Sequence, residues 1–487
     1  MSNESITDLI ELLGYAPDAD PNVPGAVIDC SLMIPNHRGM QTPRIPGTTY
    51  WQSTAAITVS SSAFLTDAMY MDPIQSGFVQ LYLGLYDSVS GSIYINAASF
   101  AADWQDVTPT SGTVNSLPTF EQFGNYALMA NGAFGGFFQR DLSATMTTPF
   151  SEVTYAPRMT HLVVAQRFVL GFNGLITGGG TSQYDAWQCS ARDDHTSWTV
   201  SPATLCTTGR LADAYGEITG AIAFNNDVYA FKYRTCYRGQ FTGPPEVWTW
   251  TEWPFGLGAV CAPKRYKRGF LFLAADDLYF FDGASLTPLM DGRLRYLYGE
   301  LGILSPLIVV DELHDLVYVN LANTPLHDSL NPDWYVCHIP TRKWGRAVLP
   351  GVLNYFAAPF TNAGYGPNTL WALDTGGSVR RVSGDFTAGA ATGRPFLTLN
   401  DFGDAFADTE LAGVRTKLIT SGGTSTATPQ YRDQLDATLN TGQAVPREAD
   451  GLYEVHQNAR WHRVKLEFTD ATEVTGVRYD FREAGQR

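Results

Sequence analysis

The stretch best equipped for chemistry is SARDDHTSW at 190–198. It approximates an aspartate box, S-x-D-x-G-x-x-W, but Asp193 stands one place late and no glycine follows two residues on. Asp193, Asp194 and His195 together could hold a cation through their oxygen and ring-nitrogen donors. Asp and Asn are also the ordinary turn formers between strands, because their side chains bond nearby backbone groups. A turn closed by Trp198 is therefore the expected reading. H-E-x-x-H, G-x-S-x-G and G-x-x-x-x-G-K-[ST] are absent, and no paired acids stand at a recognisable motif. Gly178-Gly179-Gly180 precedes no helical pattern and so builds no phosphate cradle. The eight histidines are spread along the chain. The expectation is a protein that is not an enzyme, with no catalytic residue, no cofactor and no metal site.

Two short basic islands are the other candidates. Lys264, Arg265, Lys267 and Arg268 surround Tyr266, and Arg342, Lys343 and Arg346 surround Trp344. Cations interleaved with an aromatic can touch a phosphate backbone or an acidic partner. In a chain of net charge −16 such islands stand out. Acidity of this size is unsuited to ordinary nucleic-acid binding, which needs clustered Lys and Arg. It serves solubility, and it can also form a wall from which DNA is repelled.

Strands must position these residues. Between 155 and 295 one grammar recurs: a β-branched and aromatic run, a polar turn, a second run, then a closing Trp or Asp-Gly. It appears at 161–198, at 220–253 with Asn225-Asn226-Asp227 as the turn, and at 266–283 with Ala275-Asp276-Asp277 as the turn. Period-two alternation with such turns is the pattern of an antiparallel meander. Its return every 40–50 residues or so is the pattern of a β-propeller blade. Similar units stand at 50–107, 118–140, 306–349 and 368–384. The fold class expected is all-β: a propeller of six or seven blades, six preferred, over residues 48–395. A small C-terminal β module is expected over 396–487, packed on the wheel or completing it.

Ahead of the wheel, residues 1–47 form an arm. Ser5 can cap a short helix over 5–13, with Ile6, Leu9, Ile10 and Leu13 on one face and Gly14 as its stop. That stripe is a candidate assembly contact. Six prolines between Tyr15 and Gly47 predict an extended segment that is neither helix nor central strand. Such an arm wraps its own domain or reaches a neighbouring subunit. Six scattered cysteines with no C-x-x-C pair are expected as buried free thiols of a reducing compartment. The start carries no signal-peptide pattern and no window is apolar enough to span a bilayer, so no membrane insertion is expected.

Taken together, four segments resemble the tail nozzle, or packaged-DNA stabilisation (hub), proteins of short-tailed, podovirus-like bacteriophages. They are 16–40 (APDADPNVPGAVIDCSLMIPNHRGM), 187–250 (WQCSARDDHTSWTV through PPEVWTW), 269–289 (GFLFLAADDLYFFDGASLTPL) and 459–487 (ARWHRVKLEFTDATEVTGVRYDFREAGQR). The resemblance implies a virion structural protein, made in the host bacterial cytoplasm and carried in the tail. It implies six copies around the tail axis below the portal and the adaptor ring, with a tail fibre, spike or needle as further neighbours. Double-stranded DNA would pass the lumen without sequence recognition and be retained until infection. The alternative is a receptor- or glycan-binding propeller at a tail tip, with Trp248, Trp250 and Trp253 as sugar platforms.

Overall fold

A computed structural model describes residues 9–483 except 21–22, 52–55, 58–63, 74–78, 87–90, 98–102, 111–117, 133–135, 176–181, 302–305, 322–333, 348–351, 360–366, 375, 388–392, 404–405 and 422. Seven four-stranded antiparallel sheets follow one another along the chain, and the fold is a seven-bladed β-propeller. Blades 1 to 6 span 64–106, 119–152, 159–210, 218–252, 264–288 and 307–347. Blade 7 takes three strands from 352–384 and its outermost strand, Ile45–Tyr50, from the start of the chain. Seven is the larger of the two counts that the sequence allows. Closure by the arm supplies the strand that a count along the chain lacks.

The turns explain why each blade folds back on itself. Asn225 and Asn226 both adopt left-handed backbone (φ 49° and 70°), the geometry of the tight hairpin turn that matches strand twist. Asp227 is already the first strand residue, held by Arg238 Nε at 2.7 Å. In blade 5 the loop runs from Ala274 to Asp277, and the buried Asp277 accepts the backbone N–H of Leu289 (3.1 Å) and Met290 (2.8 Å). The glycine-rich turn at 178–180 lies outside the described residues.

Seven hydrophobic clusters fill the seven interfaces between neighbouring blades. Trp51, Trp104 and Trp371, for example, pack blade 7 against blade 1 and so close the ring. Phe168, Trp187 and Trp248 join blades 3 and 4. The interface of blades 5 and 6 is larger, because it continues without a break into a second body.

That second body is a sandwich of two sheets, knitted from both ends of the chain. One sheet sets Thr472–Glu483 between Met40–Gln41 and Thr409–Ser421. The other sets Ala26–Ser31 between Gly14–Tyr15 and Phe396–Leu399. Ala26–Ser31 is therefore a central strand, contrary to the expectation from the prolines. The prolines flank these six residues and none falls within them. The arm wraps its own chain.

The short helix expected over 5–13 is not formed where it can be seen. Ile10–Glu11 is instead a strand against Val477 and Gly476, while residues 5–8, including Ile6, lie outside the described residues. A run this short cannot hold a helix alone, and an open strand edge offers its backbone partners at once. Gly14 follows in left-handed backbone (φ 86°), where an added Cβ would meet Trp344 O at 2.9 Å. The expected apolar face dissolves accordingly: Leu12 is fully buried, Ile10 and Leu13 are half-buried, and Leu9 points outward.

Candidate functional site: the axial channel

In blades 1 to 6 the first strand is innermost, in blade 7 it is Val352–Pro359, and the seven innermost strands surround a cavity of about 480 Å³. Its wall mixes apolar and polar surface in comparable parts, with the apolar share from residues such as Val164, Ala221–Ala223 and Leu307–Val310. Its charged residues are Asp67 from blade 1, Glu121 from blade 2, and Lys264 and Arg265 from blade 5. Blades 1 and 5 are not neighbours, so the ion pair of Lys264 Nζ with Asp67 Oδ1 at 3.6 Å spans the axis. Asp67 also accepts the backbone N–H of Phe120 at 3.1 Å, an inner-edge donor of blade 2. One carboxylate thus satisfies a bare strand edge and bars the channel.

Glu121 lies beside this bar. Enclosure by the protein pushes its carboxyl up to about 8, against which the Gln122 N–H pulls it down; Asp67 adds to the rise, and Lys264 and Arg265 oppose it. Arg265 is exposed to the cavity, and its guanidinium makes no ion pair or hydrogen bond among the described residues. The channel therefore holds one long ion pair, one carboxyl inclined to stay protonated and one guanidinium without a hydrogen-bond partner among the described residues.

The two basic islands meet different fates. Lys264 and Arg265 reach the axis, whereas Lys267 sits at the next turn, paired with Asp315 and over the Tyr266 ring. Arg268 is exposed at the same turn. In the second island Arg346 is built into the seam between wheel and sandwich. Its guanidinium lies 6.0 Å from the Tyr15 ring and 5.8 Å from Tyr335, with Nη1 3.3 Å from Cys30 O. Burial lowers the pKa of Lys343, and Arg342 occupies an exposed left-handed turn. Asp67 and Glu121 are the site residues that sequence reasoning missed. The available signal was the single acid in each of the strands Phe64–Met71 and Thr119–Phe123.

Asp193, Asp194 and His195 form a turn. Asp193 pairs with Arg167, Asp194 accepts the N–H and hydroxyl of Thr196, and buried His195 bonds Gln139 in blade 2. Among the described residues no three His, Cys, Asp or Glu side chains gather as metal ligands. No disulfide joins the cysteines; five are buried and Cys261 is half-buried. No described helix is long and apolar enough to cross a membrane.

The tryptophans assigned to a sugar platform face inward. Trp248 and Trp253 are buried in blade interfaces, and Trp250 packs on Phe172 and Trp187. Alternation puts 248 and 250 on one face, and that face is core. Exposed aromatics occur elsewhere. Tyr155, Tyr215, Phe255 and Tyr296 lie on connections between blades, and Tyr233 lies on a second-to-third-strand turn. In an antiparallel blade these connections share one face of the wheel.

No family profile matches the sequence. No curated protein matches it either. Among solved structures the chain is similar to PorZ, an essential bacterial surface component of the type-IX secretion system of Porphyromonas gingivalis. The identity is 12% over 75% of this chain and 58% of that one, with a TM-score of 0.30. It is similar to YCF48 bound to D1 peptide at 10% identity over 70% of this chain and 97% of that one, with a TM-score of 0.37. It is also similar to apo AztD from Citrobacter koseri at 11% identity, over 61% and 73%, with a TM-score of 0.29. The chain spans little more than half the length of PorZ.

Proposed function

We propose that this propeller is a non-catalytic structural subunit of a short-tailed phage nozzle, six copies of which form a ring around the tail axis. The observation that carries this reading is the face bearing Tyr155, Tyr215, Tyr233, Phe255 and Tyr296. Exposed aromatics gathered on one face mark an interface more often than a solvated surface. The occupant favoured here is the next copy, because identical head-to-tail contacts close a ring. The ordered sequence resemblance supports the same reading.

In that ring the lumen is the space between copies, and each wheel's own axis is barred by Asp67 and Lys264. Six chains of −16 give −96, and the part of that charge facing the lumen keeps a duplex from adhering. The adaptor above the ring and the fibre, spike or needle around it belong to this proposal, as does location in the virion tail.

Light scattering on the purified chain tests it. A six-chain mass is expected, falling toward one chain when Phe255 and Tyr296 are both changed to Ser. A stable monomer with carbohydrate affinity would sink the nozzle reading and support the tail-tip alternative, as would particles whose tail axis lacks the protein.

A further inference from the structure

The cavity on the wheel axis has the volume of a small-molecule site, roughly 300–1,000 Å³, and its wall offers polar and apolar surface in comparable parts. Its charges favour one kind of guest. Lys264 and Asp67 pair with each other at 3.6 Å, which leaves Arg265 and Glu121 facing the space. A metal ion is disfavoured, since Lys264 already occupies Asp67 and only one other acid lines the cavity. A guanidinium with no protein partner presents a flat fork of donors that matches two oxygens of an oxyanion. Tyr355, also on the lining, keeps a buried hydroxyl without a hydrogen-bond partner among the described residues.

We infer that the axial channel binds a small organic anion, its carboxylate or phosphate head held by Arg265 and Glu121 and its apolar body against Val164 and Ala221–Ala223. The protonated carboxyl of Glu121 donates to one oxygen of the head while Arg265 holds the others. The remaining titratable groups on the lining are Asp67, Lys264, Tyr70 and Tyr355. Burial raises the pKa of the Tyr355 phenol, so it stays neutral. As pH rises through about 8 Glu121 ionises, cancels the charge of Arg265 and repels the guest. Binding is therefore strong below that pH and lost above it. The inference is independent of the nozzle reading, because the site is complete within one chain.

Titration calorimetry on the full chain with hexanoate, phenyl phosphate, inorganic phosphate and hexylamine tests it. Saturable binding of hexanoate or phenyl phosphate is expected near pH 6.5, and the stronger of the two identifies the head group. Binding should weaken by up to about tenfold near pH 9, when most of the carboxyl is charged. Arg265→Ala should weaken it by roughly ten- to a hundredfold near pH 6.5. Glu121→Gln, which stays neutral and keeps a donor, should bind near pH 6.5 and no longer lose affinity near pH 9. Arg265→Lys, with its charge kept and its fork removed, should lie between wild type and Arg265→Ala. Equal affinity in wild type and Arg265→Ala would overturn the inference, as would preference for hexylamine, binding of inorganic phosphate alone, or no saturable binding of any probe.

Discussion

The two basic islands are near-copies in sequence and opposites in the fold. Each sets cations around one aromatic, and in both the aromatic is buried: Tyr266 donates to Asp315 at 2.7 Å and Trp344 to the Leu289 carbonyl at 2.7 Å. The difference is radial. Lys264–Tyr266 is the innermost strand of blade 5, so its free edge looks into the channel. Lys343–Ala347 is the outermost strand of blade 6, and its edge is covered by the arm through paired bonds between Met33 and Arg346 of 3.0 and 2.8 Å. An edge strand must be paired or covered. At the axis it is left to a ligand-sized space, while at the rim the chain covers it with its own N-terminus.

The largest effect should come from removing the aromatic of the rim island. Trp344 is fully buried where blade 6, the loop after blade 5 and the sandwich share one core. Trp344→Ala should cost about 3–5 kcal/mol through the cavity left behind, measured by denaturant unfolding. Arg346→Ala should cost less, about 2 kcal/mol, from two ring contacts and a bond to a buried carbonyl. Its signature should be local: faster hydrogen exchange in residues 10–41 with the blades unchanged. Uniform exchange across the wheel would show that the seam carries no separate stability. Gly345 marks how closely the arm is pressed there, since an added Cβ would lie 2.3 Å from Met33 O.

This contrast also explains what could be read in the sequence. Blades were legible because each is local: alternation fixes the strand faces, and Asn225-Asn226 or Asp374 fixes the turns. The arm's share of the seventh blade and of the sandwich was not, because Ile45–Tyr50 pairs with Val379–Gly384 across nearly the whole wheel, and Ala26–Ser31 pairs with Phe396–Leu399. Prolines disguised both strands, flanking Ala26–Ser31 and falling within Ile45–Tyr50 at Pro46. The channel was half legible. Lys264 and Arg265 stood out as cations in an acidic chain, yet what they would face depends on closing a ring. Asp67 and Glu121 come from blades whose first strands offer one acid each, with no motif around it.

Within the axial island the effects on stability should be small, and their smallness is the sharper test. Lys264 is 39% exposed at its side chain and its contact with Asp67 is long, so Lys264→Met should cost no more than about 1 kcal/mol. Arg265→Ala should change stability by less than about 0.5 kcal/mol, because an exposed side chain without a protein partner loses nothing in the folded state. The same substitution should remove anion binding, whereas Arg346→Ala should leave binding intact while loosening the arm. Two arginines would then separate cleanly, one serving the fold and one serving a ligand. If Arg265→Ala instead unfolded the wheel as readily as Trp344→Ala, the axial guanidinium would be structural, and radial position would not decide what a cation in this fold is for.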